Sequence, residues 1–338
     1  MPLSLEQKGG DIREYILGHH DWFKRNGMFI NDIPVDDTIA RILSRIDPDS
    51  FHTCLINWMS AMHSLTDGQI VAIDGKTLRG SYNRDDRAST IHMISAYASS
   101  NKLVLGQLKT EQKSNEITAI PELIKLLDIK GALVTIDAMA CQTEIAKTIV
   151  GQGADYLLAV KNNQGKLRKA IGAAFATQRA TTPERIKVEH GHGRIEVRQA
   201  YVLNSEALDG NFSRWKRLKF IVMVDNFRYP KGKTAELEYR YYIGSKQLSA
   251  EQAANAVREH WGIESMHWVL DVTMAEDACQ VYKDHGAENL SYLRHISLNM
   301  LRSEPTKLSI VGKQKRCMMN TSMLEAVLNA GLNSVSKK

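Results

Sequence analysis

Along residues 11 to 65 the apolar positions and the polar residues between them read as helix. Asp36-Asp37-Thr38 opens the run from Ile39 to Ile46, and Asp47-Pro48-Asp49-Ser50 stops it and caps the next run, Phe51 to Trp58. From about Gly68 the pattern changes to β-branched runs. Strands are predicted near 70–74, 90–98 and 102–108, followed by a helix near 116–128, a strand near 132–137, a helix near 141–151 and a strand near 156–160. Three successive strands followed by alternating helix and strand describe a mixed sheet rather than a doubly wound parallel one. After a basic helix near 164–178, residues 185–245 are β-rich again, and helix resumes at Ser249-Ala250-Glu251-Gln252 and continues through about Leu270.

Two of these strands end alike. Ile70-Val71-Ala72-Ile73 runs into Asp74, and Ala132-Leu133-Val134-Thr135-Ile136 runs into Asp137. A carboxylate closing an apolar strand belongs at the lip of a sheet facing something cationic, because an unpaired buried charge costs several kcal/mol or more. The element order is that of a ribonuclease-H-like α/β layout, a mixed sheet flanked by helices whose first and fourth strands are neighbours. The expected organisation is an N-terminal helical module (1–66), the first part of the core (67–184), a β-rich insertion (185–246), a helical completion of the core (247–303) and a C-terminal tail with a helix (304–338), frayed from Ser334.

With 338 residues the chain can bury a sizeable core, and its formal charge of +6 fits a polyanionic partner without requiring one. Lys166-Leu167-Arg168-Lys169, Arg214 to Lys219 and Lys313-Gln314-Lys315-Arg316 are basic clusters, each readable as a solvated face or as a DNA contact. Cys54, Cys141, Cys279 and Cys317 are scattered, which argues against a disulfide framework or a cysteine zinc site and for a reducing cytoplasm. The polar start and the absence of a long apolar run set a membrane role aside.

Phosphodiester chemistry with divalent ions needs a few carboxylates, water and substrate phosphate around the metal. Asp74 and Asp137 supply two, and Glu264 in His260-Trp261-Gly262-Ile263-Glu264 is the best third, sharing a helix face with His260, His267 and Trp268. Each has a plainer reading: Asp74 as a turn residue before Gly75, Asp137 as a helix N-cap, Glu264 as a solvated helical glutamate. Lys76 and Arg79 fall beside Asp74, where a scissile phosphate would lie, or else on a surface turn. Lys161-Asn162-Asn163-Gln164-Gly165 leaves the fifth strand at the same end of the sheet and suits DNA contacts through Lys161 and Asn163, or simple helix capping. His190-Gly191-His192-Gly193-Arg194 is a weak metal signal and reads better as a hairpin tip reaching DNA through Arg194. Trp215 suits packing in the insertion better than stacking on an extruded base.

The segments Ala72-Ile73-Asp74-Gly75-Lys76-Thr77-Leu78-Arg79-Gly80, Lys113 to Pro121, Thr135-Ile136-Asp137-Ala138-Met139-Ala140-Cys141-Gln142, His260 to Glu264 and His267-Trp268-Val269-Leu270-Asp271-Val272 together resemble the H-repeat-associated proteins, DDE transposases of bacterial insertion sequences, over residues from about 30 to 330. The resemblance implies a ribonuclease-H-like catalytic core interrupted by a β-rich insertion, Mg²⁺ or Mn²⁺ as cofactor, and Asp74, Asp137 and Glu264 as the catalytic and metal-binding triad. It further implies double-stranded DNA as partner, at element ends and target, a homodimer on that DNA, and a cytoplasmic, nucleoid-associated protein. Three departures accompany it. The N-terminus is some tens of residues shorter than usual for the family. Only Ser265 and Met266 separate Glu264 from His267, one residue fewer than usual, and one residue rotates a helix by about 100°. Where the wider group often carries tyrosine, arginine and lysine, this chain has Val257, His260 and Asp271, leaving Arg258 and His260 for phosphate. The alternatives are a catalytically silent DNA-binding remnant, a metal nuclease without strand transfer, and a zinc hydrolase built on His260, Glu264 and His267.

Overall fold

The computed structural model describes residues 10–62, 65–83, 86, 89–110, 116–178, 185–191, 194–230 and 234–332. Helices α1 (Gly10–Gly18), α2 (His20–Arg25), α3 (Asp36–Arg45) and α4 (Pro48–Met62) precede strands β1 (Ile70–Thr77), β2 (His92–Ala98) and β3 (Leu103–Thr110). Then follow α5 (Glu116–Leu126), β4 (Leu133–Ile136), α6 (Thr143–Gly151), β5 (Asp155–Val160) and α7 (Gly165–Gln178). The β-rich stretch forms β6 (Arg185–Gly191), β7 (Arg194–Asn204), β8 (Phe220–Pro230) and β9 (Glu236–Gly244). The chain closes with α8 (Ala250–His260), α9 (Gly262–Trp268), a π-turn (Val269–Thr273), α10 (Gly286–Ser303), α11 (Ile310–Met319) and α12 (Thr321–Leu332). The predicted tail from Ser334 lies outside the described residues.

The nine strands among the described residues join one mixed sheet in the order β3-β2-β1-β4-β5-β9-β8-β7-β6. β1 runs parallel to β4 and β4 parallel to β5; the other pairings are antiparallel. The β-rich stretch therefore continues the main sheet, entering where Tyr241 to Gly244 of β9 pair with Leu157 to Val160 of β5. This is the ribonuclease-H-like α/β arrangement expected from the element order.

Alternation along the strands decides what each face carries. Val71 and Ile73 of β1 and Val134 and Ile136 of β4 pack with Ile120, Leu123, Ile145 and Leu167 of α5 to α7. The intervening Ile70 and Leu133 meet Ala253 and Ala256 of α8, and Ala72 meets Ile263, Met266 and Leu270. Asp74 and Asp137 continue this second set, so period-2 geometry directs both toward the α8–α9 face. Because Ile73 pairs with Ile136 in parallel register, the next positions on the two strands are these aspartates.

The helix expected to run unbroken from Ser249 to Leu270 is instead two helices that part at Trp261. Its start is as the sequence signals: the Ser249 side chain accepts from Gln252 N, and the Gln252 side chain accepts from Ser249 N, a reciprocal cap. The break precedes Gly262, whose missing side chain lets the backbone sit close to Tyr97, where an added Cβ would lie 3.3 Å from the ring. The π-turn follows directly after Trp268, so the segment bearing Glu264 and His267 is a short helix irregular at both ends.

Candidate active site

A cleft of about 780 Å³ opens over the ends of β1, β4 and β5, and Asp74, Asp137 and Glu264 all line it. Asp74 lies within β1 rather than at the strand end expected from the sequence, since the strand continues to Thr77 and Asp74 pairs with Ser95 of β2. The Asp74-Gly75 pair is thus not a turn. Gly75 is required by close packing: an added Cβ would lie 2.5 Å from the Glu116 Oε1 atom and would also strike the His92 ring. His92 and Glu116 are buried and paired, with Nε2 and Oε1 2.5 Å apart. Asp137 follows the last residue of β4, and its Oδ1 accepts from Met139 N at 3.0 Å and Ala140 N at 3.4 Å. Those two contacts hold its carboxylate in place. Glu264 is exposed, in the first turn of α9.

Asp74, Glu264 and His267 each offer a ligand atom within 4.8 Å of the others. Burial first, then the charges of Glu264 and Asp137, push Asp74 up to about 7. That repulsion is an electrostatic deficit which a divalent cation would relieve, and an all-oxygen or mixed oxygen and nitrogen donor set of this kind suits one. The residues present therefore fit a divalent metal. His267 is buried, with Nδ1 3.7 Å from Asp74 Oδ2, and burial followed by the nearby Lys76 charge pulls it down to about 3, so the ring is neutral.

Asp74 makes stability depend on pH in a definite direction. Its folded value lies above its ordinary 3.8, so the folded state holds the proton more tightly, and ionisation between pH 4 and 7 destabilises it. Metal-free protein is expected to lose stability, on the order of a few kcal/mol at most, as pH rises through that window. Thermal unfolding followed from pH 4 to 7.5 checks this: Asp74→Asn should flatten the slope, and an unchanged slope in the variant would contradict the assignment.

The remaining sequence-selected residues are distributed differently. Lys161 and Asn163 line the cleft, and the Asn163 side-chain amide donates to Ala138 O, holding the loop after β5 to the loop after Asp137. His260 also lines the cleft; its Nδ1 lies 3.0 Å from Thr135 Oγ1, and burial lowers its pKa despite the opposing Asp137 charge. His260 is not among the grouped ligand atoms, so the set for a zinc site on His260, Glu264 and His267 is not assembled. The Lys76 ammonium is held by Asp271 and by Glu276, the latter at 2.6 Å, with Asp277 at 3.6 Å. Arg79 is 82% exposed, with Nε 3.5 Å from Asp277 Oδ2. Arg258 pairs with Glu189 at 2.9 Å and lines a neighbouring cavity. The Arg194 side chain, His192, Gly193 and the Lys113 to Asn115 part of the motif lie outside the described residues. Trp215 is buried at 2% exposure, which excludes stacking on a base without unpacking and agrees with the packing reading.

Sequence reasoning missed Arg168, Arg240 and Trp261 as cleft residues. Arg168 lies in a recognised basic cluster, but nothing local assigned that cluster to this cleft. Arg240 comes from β9, which reaches the site only through its pairing with β5. Its guanidinium lies 5.4 Å from the centre of the half-exposed Trp261 ring, a cation–π contact on the cleft wall.

Such a fold, with carboxylates from two adjacent parallel strands and a following helix in one cleft, agrees with the family comparison. The chain belongs to the transposase DDE domain family, whose model matches residues 65–300, and the DDE_Tnp_1-associated model matches residues 4–59. Among its relatives in Escherichia coli K12 are "H repeat-associated putative transposase YhhI", 45% identical over 94% of this chain and 86% of the relative, and "Putative protein YbfL", 45% identical over 96% and 89%. "Putative transposase YncI" of E. coli O157:H7 is 47% identical over 92% of this chain and 83% of the relative. A solved piggyBac transposase synaptic complex with hairpin DNA superposes with a TM-score of 0.42 at 11% identity, covering 86% of this chain and 60% of that one. Among the described residues no helix is long and apolar enough to cross a membrane.

Proposed function

We propose that the chain is a metal-dependent DDE transposase that hydrolyses a DNA strand at an element end and joins the freed 3′-hydroxyl to target DNA, with Asp74, Asp137 and Glu264 as the catalytic carboxylates. The observation carrying this reading is the approach of Asp74 and Glu264 ligand atoms to within 4.8 Å in a cleft that Asp137 also lines. Mg²⁺ or Mn²⁺ held by these carboxylates would activate an attacking oxygen and stabilise a leaving one. Asp137, fixed by two backbone amides, keeps its carboxylate aimed without rearrangement. Lys161 and Arg168, with Arg240 paired to the cleft residue Glu238 at 3.0 Å, would give the cleft wall cationic groups for phosphate. Asn163 and His260 add uncharged polar contacts, and Trp261 offers a flat apolar face to a base or sugar. Exposed Arg79 and Arg258, which lines the neighbouring cavity, would meet DNA flanking the cut, as would Arg194 at the hairpin tip. Lys76 serves the site through its carboxylate partners, the buried Glu276 and the half-buried Asp271 and Asp277. Pairing two element ends calls for a homodimer on DNA.

Incubating the purified chain with supercoiled plasmid and Mn²⁺ tests the reading, with nicked and linear products expected. Retained DNA binding without any metal-dependent product would favour a silent DNA-binding remnant instead.

A further inference from the structure

Within the metal-site reading just given, one side chain remains unexplained. His267 is 92% buried by side-chain area, and a buried imidazole in a structural role ordinarily has both ring nitrogens satisfied. Here Nε2 has no hydrogen-bond partner among the described residues, a state shared by the buried His52 and His295, so the other ring nitrogen is what sets His267 apart. Nδ1 faces Asp74 Oδ2 at 3.7 Å, too long for a hydrogen bond. Ligand bonds of about 2.0–2.2 Å at ordinary coordination angles place neighbouring donor atoms roughly 3–3.6 Å apart. The Nδ1 to Oδ2 separation is close to that edge. The third ligand atom, from Glu264, stands within 4.8 Å of both.

The spacing of the chain produces this arrangement. Glu264 and His267 are three positions apart on α9 and share a face, while Ile263 and Met266 anchor the adjoining face against Ala72 and Tyr97 of the sheet. A further residue between them would turn the imidazole by about 100° away from Asp74. Asp137 stands apart from the grouped atoms, and one of its oxygens is occupied by the amides of Met139 and Ala140.

We propose that His267 is a metal ligand in this chain, giving the ion held by Asp74 and Glu264 a nitrogen donor and tilting the site toward Mn²⁺ over Mg²⁺. Imidazole suits first-row transition ions, whereas Mg²⁺ prefers oxygen donors throughout. The inference rests on the carboxylates being a metal site at all, and the experiment separates the two.

Electron spin-echo envelope modulation of the full chain loaded with Mn²⁺ reads nitrogen coordination directly, without catalysis. Wild-type protein is expected to show ¹⁴N coupling that is replaced when histidine is labelled with ¹⁵N. His260→Ala should retain the coupling, and His267→Ala should lose it while weakening Mn²⁺ binding by at least roughly tenfold. Loss of the Mn²⁺ preference over Mg²⁺ in direct titrations of His267→Ala would agree. Should that variant not fold, the histidine-label experiment on wild type, with His260→Ala as control, still decides. Mn²⁺ bound with no histidine coupling overturns the inference and leaves the carboxylate site standing. Mn²⁺ binding that is absent in wild type, or equal in wild type and Asp74→Asn, overturns both.

Discussion

Asparagine in place of Asp74 or of Asp137 is expected to leave DNA binding intact and to reduce metal-dependent strand cleavage by at least roughly 10²- to 10³-fold, the scale on which losing one preorganised electrostatic group slows a reaction. Asparagine preserves shape in both cases. At position 137 its side-chain oxygen can still accept from Met139 N and Ala140 N, so the turn after β4 should survive while the charge disappears. At position 74 the change also removes the charge whose burial, and then whose repulsion by Glu264 and Asp137, hold this carboxyl near 7, so the metal-free variant should be no less stable than wild type at neutral pH. In the proposed site the carboxylates act together, so the double variant should be little worse than either single one. Nicking of supercoiled DNA, compared with gel-shift binding, reads the two properties separately. Undiminished cleavage by either variant would remove that residue from the site.

Glu276→Ala is expected to lower the free energy of unfolding by about 3–5 kcal/mol, because it strips a buried lysine of its closest buried partner. Glu276 is fully enclosed, with Oε2 2.6 Å from the Lys76 ammonium and Oε1 receiving the Ser291 hydroxyl at 3.0 Å. Burial alone would raise its pKa, but Lys76, His295 and Arg294 hold it down to about 2. A carboxylate depressed in this way stabilises the fold above its unfolded value near 4.5, and the contribution is lost as pH falls toward 2. Wild type and variant should therefore differ at pH 7 and converge in acid. Denaturant unfolding at both pH values measures this, and a difference below about 1 kcal/mol at pH 7 would show the pair to be no more than a surface bridge. The same contact ties β1, two residues past Asp74, to the segment following Glu264, so the variant should also impair cleavage.

The sheet core was legible because its strands are apolar, β-branched runs bounded by polar residues, and because Asp74 and Asp137 interrupt that pattern at equivalent places. The reciprocal cap at Ser249 was legible for the same local reason. What escaped depends on distant chain. Lys76 reads as a free cation until its partners, 195 to 201 residues away, are known. Arg240 reads as one of many exposed strand arginines until β9 is seen to pair with β5. The break at Trp261 carried a hint in Gly262, but helical periodicity on both sides concealed it. His267 was visible as a neighbour of Glu264 on one face, yet only the sheet on the other side reveals that the face meets Asp74.

The distance along the chain between the parts of this site also sets a clock. Asp137 and Glu264 are separated by 127 residues (264 minus 137), which a ribosome adds in about 6 to 25 s. During that interval a nascent chain holds both sheet aspartates, but neither Glu264 nor the Glu276 partner of Lys76 exists yet, and β9, which supplies Arg240, is added only in its last part. On the proposed reading, a growing polypeptide therefore lacks the complete carboxylate set, and with it the expected cleavage chemistry, until Glu264 has been added and α9 has packed on the sheet.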